Sequence, residues 1–378
     1  MSSKIQLGFA IEIDENDPLM YDINDFPSKI GGLPMWLNPA EPLTSEQTRC
    51  EICNDIMAFL LQIYNTEDFP EEAFNRSTYV FICRNENCNK TSPENWNKIM
   101  KVFRIQLPKK NPYYPFSEDE PGLLIEGTFK SRYCKICNLK GSKCCSKCKN
   151  AYYCSKEHQL YDWNNLDHKL NCSTNCTKVV NIDYNTKSNE LQFNCFEIVN
   201  EVEPESKISK MDLKVEEMLN NMNIMTEKEE SFSKQQLDEE EETKVDVDKA
   251  FLKFQKRVER EPEQAFRYYR TSYNNTEFTK PLYVSDLNKP KEIPDCKHCH
   301  SKRTLEYQVM PQLLNFLQDD NVDFGTLLIY TCESNCESAH FEKDECGVWA
   351  RELIFRQDFS NDGMKLGNSS NSAITSQN

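Results

Sequence analysis

Cysteine and histidine residues occur in closely spaced pairs between residues 134 and 172. The pairs are Cys134-x2-Cys137, Cys145-x2-Cys148, Cys154-x3-His158 and His168-x3-Cys172. A two-residue gap lets two thiolates on a tight turn reach one tetrahedral ion, and a three-residue gap does the same from one turn of a helix. Eight ligands make two sites with no open position, which is typical of structural rather than catalytic zinc. We therefore predict that this segment binds two zinc ions.

Two further sets of four cysteines flank this segment. They are Cys50, Cys53, Cys83 and Cys88, and Cys296, Cys299, Cys332 and Cys336. In both sets an apolar, strand-like run leads into the third cysteine, as expected of hairpins that bring two pairs to one ion. We predict one zinc ion in each set, and the alternative is that these are buried free thiols.

Other cysteines and histidines could replace some of the predicted ligands. The rival or substitute ligands are Cys144, His298, His300, His340 and Cys346. Cys176 and Cys195 fall at no metal-binding spacing, and we expect them to be ordinary core or surface thiols.

The composition favours a reducing compartment. The longest apolar stretch, Ile56 to Tyr64, is far shorter than the roughly 20 residues of a membrane span. The acidic N-terminus, with Glu12 and Asp14, is unlike a secretory signal. We therefore expect the protein in the cytosol or the nucleus. Its 18 cysteines then indicate metal binding rather than disulfides.

Charge divides the chain into separate electrostatic segments. The net charge of −16 argues against general affinity for nucleic acid. The stretch Glu197 to Lys249 holds 17 acidic and 7 basic residues, whereas Phe129 to Cys172 holds 3 acidic and 9 basic residues. Zinc-bound thiolates would offset part of that positive charge. We see no basic stripe interleaved with exposed aromatics, so we do not expect direct nucleic-acid binding.

Apolar patterns predict the elements that position the cysteines. Residues 79–82 predict a strand, and residues 58–64 predict another strand or a short helix. Phe251, Phe254 and Val258 share one face of a predicted helix.

Residues 201–249 have the composition of a disordered linker that includes the acidic run Asp238 to Glu242. Within it, five apolar residues share one face of a short helix: Met211, Val215, Met218, Met222 and Met225. That helix would either dock on the protein itself or bind a partner.

The cysteine-rich segment resembles the MYND finger family. The resemblance rests on Ala151-Tyr152-Tyr153-Cys154-Ser155, Trp163, His168-Lys169 and Cys172. It implies that Cys134, Cys137, Cys154 and His158 share one zinc ion, and that Cys145, Cys148, His168 and Cys172 share the other. The family commonly has cysteine where His158 stands. The resemblance also implies a protein-binding module that often takes short proline-containing peptides.

Blocks along most of the chain resemble the programmed cell death protein 2 family. They include Phe26-Pro27-Ser28-Lys29-Ile30-Gly31-Gly32, Val102-Phe103-Arg104, Glu261-Pro262-Glu263-Gln264, Ile293-Pro294-Asp295-Cys296 and Gln308-Val309-Met310-Pro311. The resemblance implies a chaperone or adaptor for a ribosomal protein of the small subunit, linked to ribosome biogenesis, cell proliferation, stem-cell maintenance and apoptosis. Some members have transcriptional corepressor partners, and a nuclear regulator acting through the finger is the alternative function.

We find no catalytic pattern in the sequence. It has no glycine-rich phosphate loop, no G-x-S-x-G, no H-E-x-x-H and no zinc-deaminase signature, and it contains only 10 glycines. MYND fingers also occur in protein methyltransferases, but we predict an adaptor that is not an enzyme.

Together these patterns predict an α+β fold. Two zinc-ribbon-like, β-rich repeats would form a split body with an inserted MYND finger and a disordered acidic linker. The predicted divisions are residues 1–128 for the first repeat, 129–172 for the finger, 173–200 for a packing segment, 201–249 for the linker, 250–358 for the second repeat and 359–378 for a disordered tail.

Overall fold

The computed structural model describes nine stretches of the chain: residues 5–13, 27–90, 95–114, 132–166, 168–172, 189–204, 248–270, 280–336 and 348–360. Several sequence predictions lie outside the described residues. They are the acidic run at 238–242, the methionine-rich helix at 211–225, the tail beyond 360, Cys176, His340 and Cys346.

Ten strands close into one barrel. In barrel order they are β1 (Gln6–Glu12), β8 (Phe196–Val202), β2 (Lys29–Ile30), β3 (Ala58–Tyr64), β4 (Asn75–Ile82), β5 (Met100–Leu107), β12 (Ala350–Gln357), β11 (Thr326–Cys332), β10 (Arg303–Val309) and β9 (Phe266–Tyr268). β9 pairs in turn with β1 and completes the ring. The strand predicted at 79–82 is confirmed as part of β4, and residues 58–64, predicted as a strand or a short helix, form the strand β3.

Strands from both ends of the chain share this barrel. β5 pairs antiparallel with β12, which places Arg104 opposite Ala350 and Val102 opposite Glu352. β8, which follows the finger in sequence, lies between β1 and β2. The predicted split body of two zinc-ribbon-like repeats is therefore not confirmed. The two ends form a single β-rich barrel, because each end supplies strand edges that the other end completes.

The two ends nevertheless follow the same order of elements. Each contains a Cys-x2-Cys turn, a strand with a register shift, a strand that ends at the second cysteine pair, and a third strand. The shifts lie between Phe59 and Leu61 in β3 and between Leu305 and Tyr307 in β10. A shift of this kind bends a strand and re-aims its side chains. The shared order brings each four-cysteine set to the end of a barrel strand.

A buried ion pair crosses the barrel interior. The side chains of Arg76 on β4 and Glu306 on β10 are 0% and 2% exposed, and Arg76 donates from both terminal nitrogens to the Glu306 carboxylate. Asn65 Nδ2 lies 3.2 Å from Glu306 Oε1, and Thr331 donates to Oε2. Arg270 Nη1 lies 3.8 Å from the same oxygen. The carboxylate is thus surrounded by donors from both ends of the chain.

Aromatic packing fills one end of the core. The ring centroids of Trp36, Tyr79 and Trp349 lie 5.1 to 5.6 Å apart, in the range of favourable ring contacts. The predicted helix is confirmed as α5 (Lys249–Val258), which buries Phe251 and Val258. The other helices of the barrel region are α1 (Glu86–Asn89), α2 (Trp96–Ile99) and α6 (Leu314–Leu317), with 3-10 turns at Glu71–Ala73 and Pro311–Leu313. In the described ranges no helix has the length and apolar character that crossing a membrane requires.

The cysteine-rich finger packs against the barrel. It contains the hairpin β6 (Lys143–Cys144) and β7 (Tyr152–Tyr153) and the helices α3 (Lys156–Asn165) and α4 (His168–Asn171). Trp36 Nε1 donates to the carbonyl of Asn138 at 2.7 Å, and Asn138 Nδ2 donates to the carbonyl of Pro34 at 2.8 Å. Ser45 Oγ donates to the carbonyl of Cys154 at 3.1 Å. The finger is therefore held to residues 34–45 by specific hydrogen bonds.

Candidate metal centres

The same backbone turn begins all four cysteine clusters. An amide four residues on donates to the carbonyl of the first cysteine: Asn54 to Cys50, Asn138 to Cys134, Lys149 to Cys145 and His300 to Cys296, at 2.8 to 3.0 Å. The four donors have φ between 58° and 64°, the left-handed region that non-glycine residues rarely adopt. The turn also aims amides at sulfur, as where Ile52 N lies 3.4 Å from Cys50 Sγ.

The structure brings the sixteen predicted ligand side chains together in four groups. They are Cys50, Cys53, Cys83 and Cys88; Cys134, Cys137, Cys154 and His158; Cys145, Cys148, His168 and Cys172; and Cys296, Cys299, Cys332 and Cys336. The ligand atoms of each group all lie within 4.8 Å of one another. The two groups in the finger have the interleaved arrangement that the MYND resemblance implies.

The spacing of the sulfur atoms fits tetrahedral zinc. At a Zn–S distance of about 2.3 Å, two sulfurs on one ion lie about 3.8 Å apart. The Sγ–Sγ distances are 3.9 Å for Cys50 and Cys88, 3.6 Å for Cys53 and Cys83, 3.7 Å for Cys145 and Cys172, and 3.7 Å for Cys296 and Cys336. A disulfide would need about 2.05 Å. All four clusters could therefore bind zinc, and the number of ions stays a prediction.

The two finger histidines offer different ring nitrogens. His158 Nδ1 lies 3.2 Å from Cys154 Sγ and 3.5 Å from Cys134 Sγ. His168 offers Nε2, which lies 3.9 Å from Cys148 Sγ. With a Zn–N bond of about 2.0 Å, a sulfur and a nitrogen on one ion would be about 3.5 Å apart. Both histidines therefore fit the fourth position of a three-cysteine site.

Asp162 lies behind one of these histidines, and the sequence analysis missed it. Its fully buried carboxylate accepts a hydrogen bond from Tyr153 Oη at 2.6 Å and from Lys135 Nζ at 3.0 Å. Asp162 Oδ2 also lies 3.8 Å from His168 Nδ1. A hydrogen-bonded carboxylate orients a metal-binding imidazole, but at 3.8 Å this pair is a longer electrostatic contact rather than a hydrogen bond. The available signal was an aspartate one helical turn after His158, on the same face.

Residues from β5 reach the C-terminal cluster and were also missed as functional positions. Arg104 Nη2 lies 3.7 Å from Cys336 Sγ, and Arg104 Nε donates to Glu352 Oε1 at 2.7 Å. Glu352 Oε1 accepts from the amide of Cys332 at 3.3 Å. Gln106 Nε2 donates to the carbonyl of Cys336 at 3.3 Å. The N-terminal part of the chain therefore supports a cluster built from the C-terminal part.

Thiol pKa values differ strongly within a cluster. Burial acts to raise the pKa of Cys145, but hydrogen bonds from the Cys148 amide and the His168 ring outweigh it and lower the pKa to about 6. Burial, followed by the hydrogen bond with Cys145, raises the pKa of Cys172 in the same cluster to about 11. Neighbouring thiols cannot all ionise without a cation between them. Zinc would displace the remaining protons, so metal affinity should increase with pH.

The rival ligands that lie in the described residues do not join the groups. Cys144 is exposed, and its thiol faces the carbonyl of Cys145 at 3.6 Å. His298 and His300 lie beside the C-terminal cluster in sequence, but the group forms around Cys299 instead. Cys195 is half-buried and outside all four groups.

We expect the purified protein to contain four zinc ions per chain. Each group supplies four donors at tetrahedral spacing, so each should retain one ion when no chelator is used. Metal analysis by mass spectrometry, normalised to protein concentration, measures the number. A reproducible value of two would restrict zinc to the finger and contradict both flanking sites.

Family comparisons match three parts of the chain. Residues 4–121 match the N-terminal domain of programmed cell death protein 2, and residues 248–358 match the C-terminal domain of that protein. Residues 134–172 match the MYND finger.

Individual relatives extend these matches over most of the chain. Programmed cell death protein 2 from Bos taurus is 36% identical over 352 residues, covering 89% of this chain and 92% of the relative. The Rattus norvegicus protein of that name is 34% identical, covering 94% and 96%. A Schizosaccharomyces pombe protein named as a 20S rRNA accumulation protein is 28% identical over 112 residues, or 26% of each chain. No solved structure matches.

Proposed function

The chain belongs to the programmed cell death protein 2 family, and we propose that it is a non-enzymatic zinc-binding adaptor that chaperones a basic ribosomal protein of the small subunit. The observation that carries this proposal is the similarity to a fission-yeast relative named for 20S rRNA accumulation. In this role the protein would support ribosome biogenesis and cell proliferation, in both cytoplasm and nucleus.

The charge of the chain is complementary to such a client. Ribosomal proteins are basic and are normally neutralised by RNA phosphate. This chain has a net charge of −16, and zinc sites built from three or four thiolates would make it more negative. An opposite field steers encounter and can shield a basic surface until rRNA replaces it.

We also propose that the two ends of the chain are zinc-ribbon-like repeats that became one barrel. The recurring order of cysteine turn, shifted strand, second cysteine pair and third strand supports this relationship. Both four-cysteine clusters would then stabilise equivalent strand ends.

A direct binding experiment tests the proposed function. The nuclease-treated, purified protein should form a stoichiometric complex with a purified basic ribosomal protein of the small subunit, seen by size-exclusion chromatography with light scattering. Chromatin proteins in place of ribosomal proteins among stoichiometric partners would favour the transcriptional alternative.

The acidic linker should raise the rate at which the basic ribosomal protein associates with this protein. We expect neutralisation of Glu239 to Glu242 by glutamine to slow association at low salt and to change dissociation less. Screening over about 8 Å in physiological salt should reduce the difference. Stopped-flow measurements at several salt concentrations test this, and an unchanged association rate at low salt contradicts it.

One observation favours a second role for the finger. Leu160 on α3 and Leu170 on α4 are 49% and 83% exposed, and exposed apolar side chains on a MYND finger suit the binding of a peptide from a corepressor. Loss of corepressor binding in Leu160→Ser, with the ribosomal protein still bound, would separate the two roles.

A further inference from the structure

A groove separates the first cysteine cluster from the finger. Its volume is about 690 Å³, within the range of sites that hold a ligand or a short chain segment. The turn at residues 53–56, α3 of the finger and residues 190–192 all contribute to its lining. It therefore lies where the barrel, the finger and the segment leading into β8 meet.

The rim of the groove is acidic. Asp55, Glu157 and Glu190 line it and are exposed. Cys53 and His158, which belong to two different clusters, also line it. Because four thiolates outweigh the charge of one Zn²⁺ and three thiolates also do, both neighbouring centres would add negative charge when loaded.

The two arginines of the lining cancel only part of this charge. Arg84 Nε lies 2.5 Å from Asp319 Oδ2. Arg49 donates to the carbonyl of Asn54 at 2.7 Å and lies 3.7 Å from a carboxylate oxygen of Glu157. Arg49 therefore offsets Glu157, and Arg84 is paired with a carboxylate outside the lining, so Asp55 and Glu190 supply the remaining negative charge of the rim.

The groove also offers apolar surface. Ile56 and Phe59 line it from the barrel side, and Tyr161 of α3 lines it from the finger. Leu191 is 38% exposed, and Ile52, next to the lining residue Cys53, is 42% exposed. Apolar walls below an acidic rim suit a chain that presents both apolar and cationic side chains.

We propose that this groove binds an extended segment of another protein in which Lys or Arg residues alternate with large apolar residues. The idea rests on the proposed function, because such a segment would belong to the basic client. Apolar side chains would enter between Ile56 and Leu191, and cationic side chains would pair with Asp55 and Glu190. Nucleic acid does not fit, since its phosphates would face carboxylates.

Three labelled peptides test the chemistry of the groove. The probe is a fluorescein-labelled twelve-residue peptide that repeats Arg-Leu-Ser, and the controls repeat Glu-Leu-Ser and Arg-Ser-Ser. We expect the first peptide alone to bind measurably in fluorescence anisotropy, with an affinity that falls as salt increases. If the Arg-Ser-Ser peptide binds equally well, apolar side chains are not required for binding. If the Glu-Leu-Ser peptide binds, cationic side chains are not required.

Variants locate the binding. Asp55→Lys with Glu190→Lys should weaken binding of the first peptide by about tenfold or more, since both rim charges are reversed. The matched control is Glu263→Lys with Glu292→Lys, which makes the same charge change at exposed positions outside the lining and should change affinity little. Ala58→Trp should also block binding by filling the groove, since Ala58 lines it.

Each variant is first checked for wild-type zinc content and melting temperature. If Ala58→Trp has a lowered melting temperature, the test of the groove rests on the charge variants alone. Wild-type peptide affinity in the variant with Asp55→Lys and Glu190→Lys would contradict the proposal that the peptide binds in this groove. Wild-type binding of the ribosomal protein by that variant leaves the proposed function standing while the groove fails. If the peptide binds in the groove but the ribosomal protein does not bind at all, the groove is confirmed as a binding site and the proposed function fails.

Discussion

Replacing Cys332 with serine is expected to remove one zinc ion per chain and to unfold the C-terminal part of the barrel. The Cys332 side chain is fully buried, and its sulfur lies 3.4 Å from Cys299 Sγ. A structural zinc ion contributes its binding free energy to folding, on the order of 10 kcal/mol. Serine is nearly isosteric with cysteine, so the loss would reflect the missing thiolate. Metal analysis, soluble yield and the midpoint of thermal unfolding measure the loss of zinc and of stability. Cys50→Ser should have the same effects at the first cluster.

The matched control is Cys144→Ser, the same exchange at an exposed cysteine outside the clusters. It should keep four zinc ions and the wild-type midpoint. Since Arg104 contacts Cys336, Cys332→Ser should also speed amide exchange in β5, where Arg104 resides. Unchanged zinc content and melting in Cys332→Ser would rule out the ligand role.

Glu306→Gln is expected to destabilise the barrel by about 3 to 5 kcal/mol, because it leaves Arg76 charged and buried without its counterion. Burial acts to raise the pKa of Glu306, but Arg76 and then Arg270 outweigh it and hold the pKa well below its usual range. The stabilisation from this lowered pKa is therefore complete above the unfolded pKa and is lost as pH falls toward the folded pKa. Urea unfolding at pH 7 with excess zinc measures the change.

A double-mutant cycle with Arg76→Met separates the pair from its surroundings. Arg76→Met with Glu306→Gln should be more stable than the sum of the single changes predicts, because no uncompensated arginine remains. Glu86→Gln is the matched control, since Glu86 pairs with Lys90 on the surface, where such pairs contribute little. A Glu306→Gln protein with the wild-type urea midpoint would show that the buried pair does not stabilise the barrel.

Short-range patterns predicted the parts of this structure that depend on neighbouring residues. The Cys-x2-Cys spacing at Cys50 and Cys296 sets a turn whose geometry is local, so a similar left-handed φ recurs at Asn54 and His300. The strand at residues 79–82 was predictable because its residues are apolar and β-branched or aromatic. These features require no knowledge of distant strands.

Long-range pairing was not predictable in this way. Nothing in the sequences of β5 and β12 indicates that these strands pair, although Arg104 lies opposite Ala350 in the barrel. Arg76 and Glu306 lie in strands where charged residues usually indicate a solvent-facing side. Each is buried because the other neutralises it from across the barrel, and 230 residues separate the two in sequence. Composition and periodicity contain no information about such a partner.

The order of strands in the barrel also determines how the protein can be made. β1 leaves the ribosome first, but its partners β8 and β9 lie at residues 196–202 and 266–268. β5 must wait for β12, which ends at Gln357. A nascent chain that has reached only the acidic linker thus carries β5 with an open edge, and such edges recruit other strands into aggregates. Closure of the barrel therefore requires that β12 has left the ribosome, and a message truncated before residue 350 encodes a chain that cannot complete it.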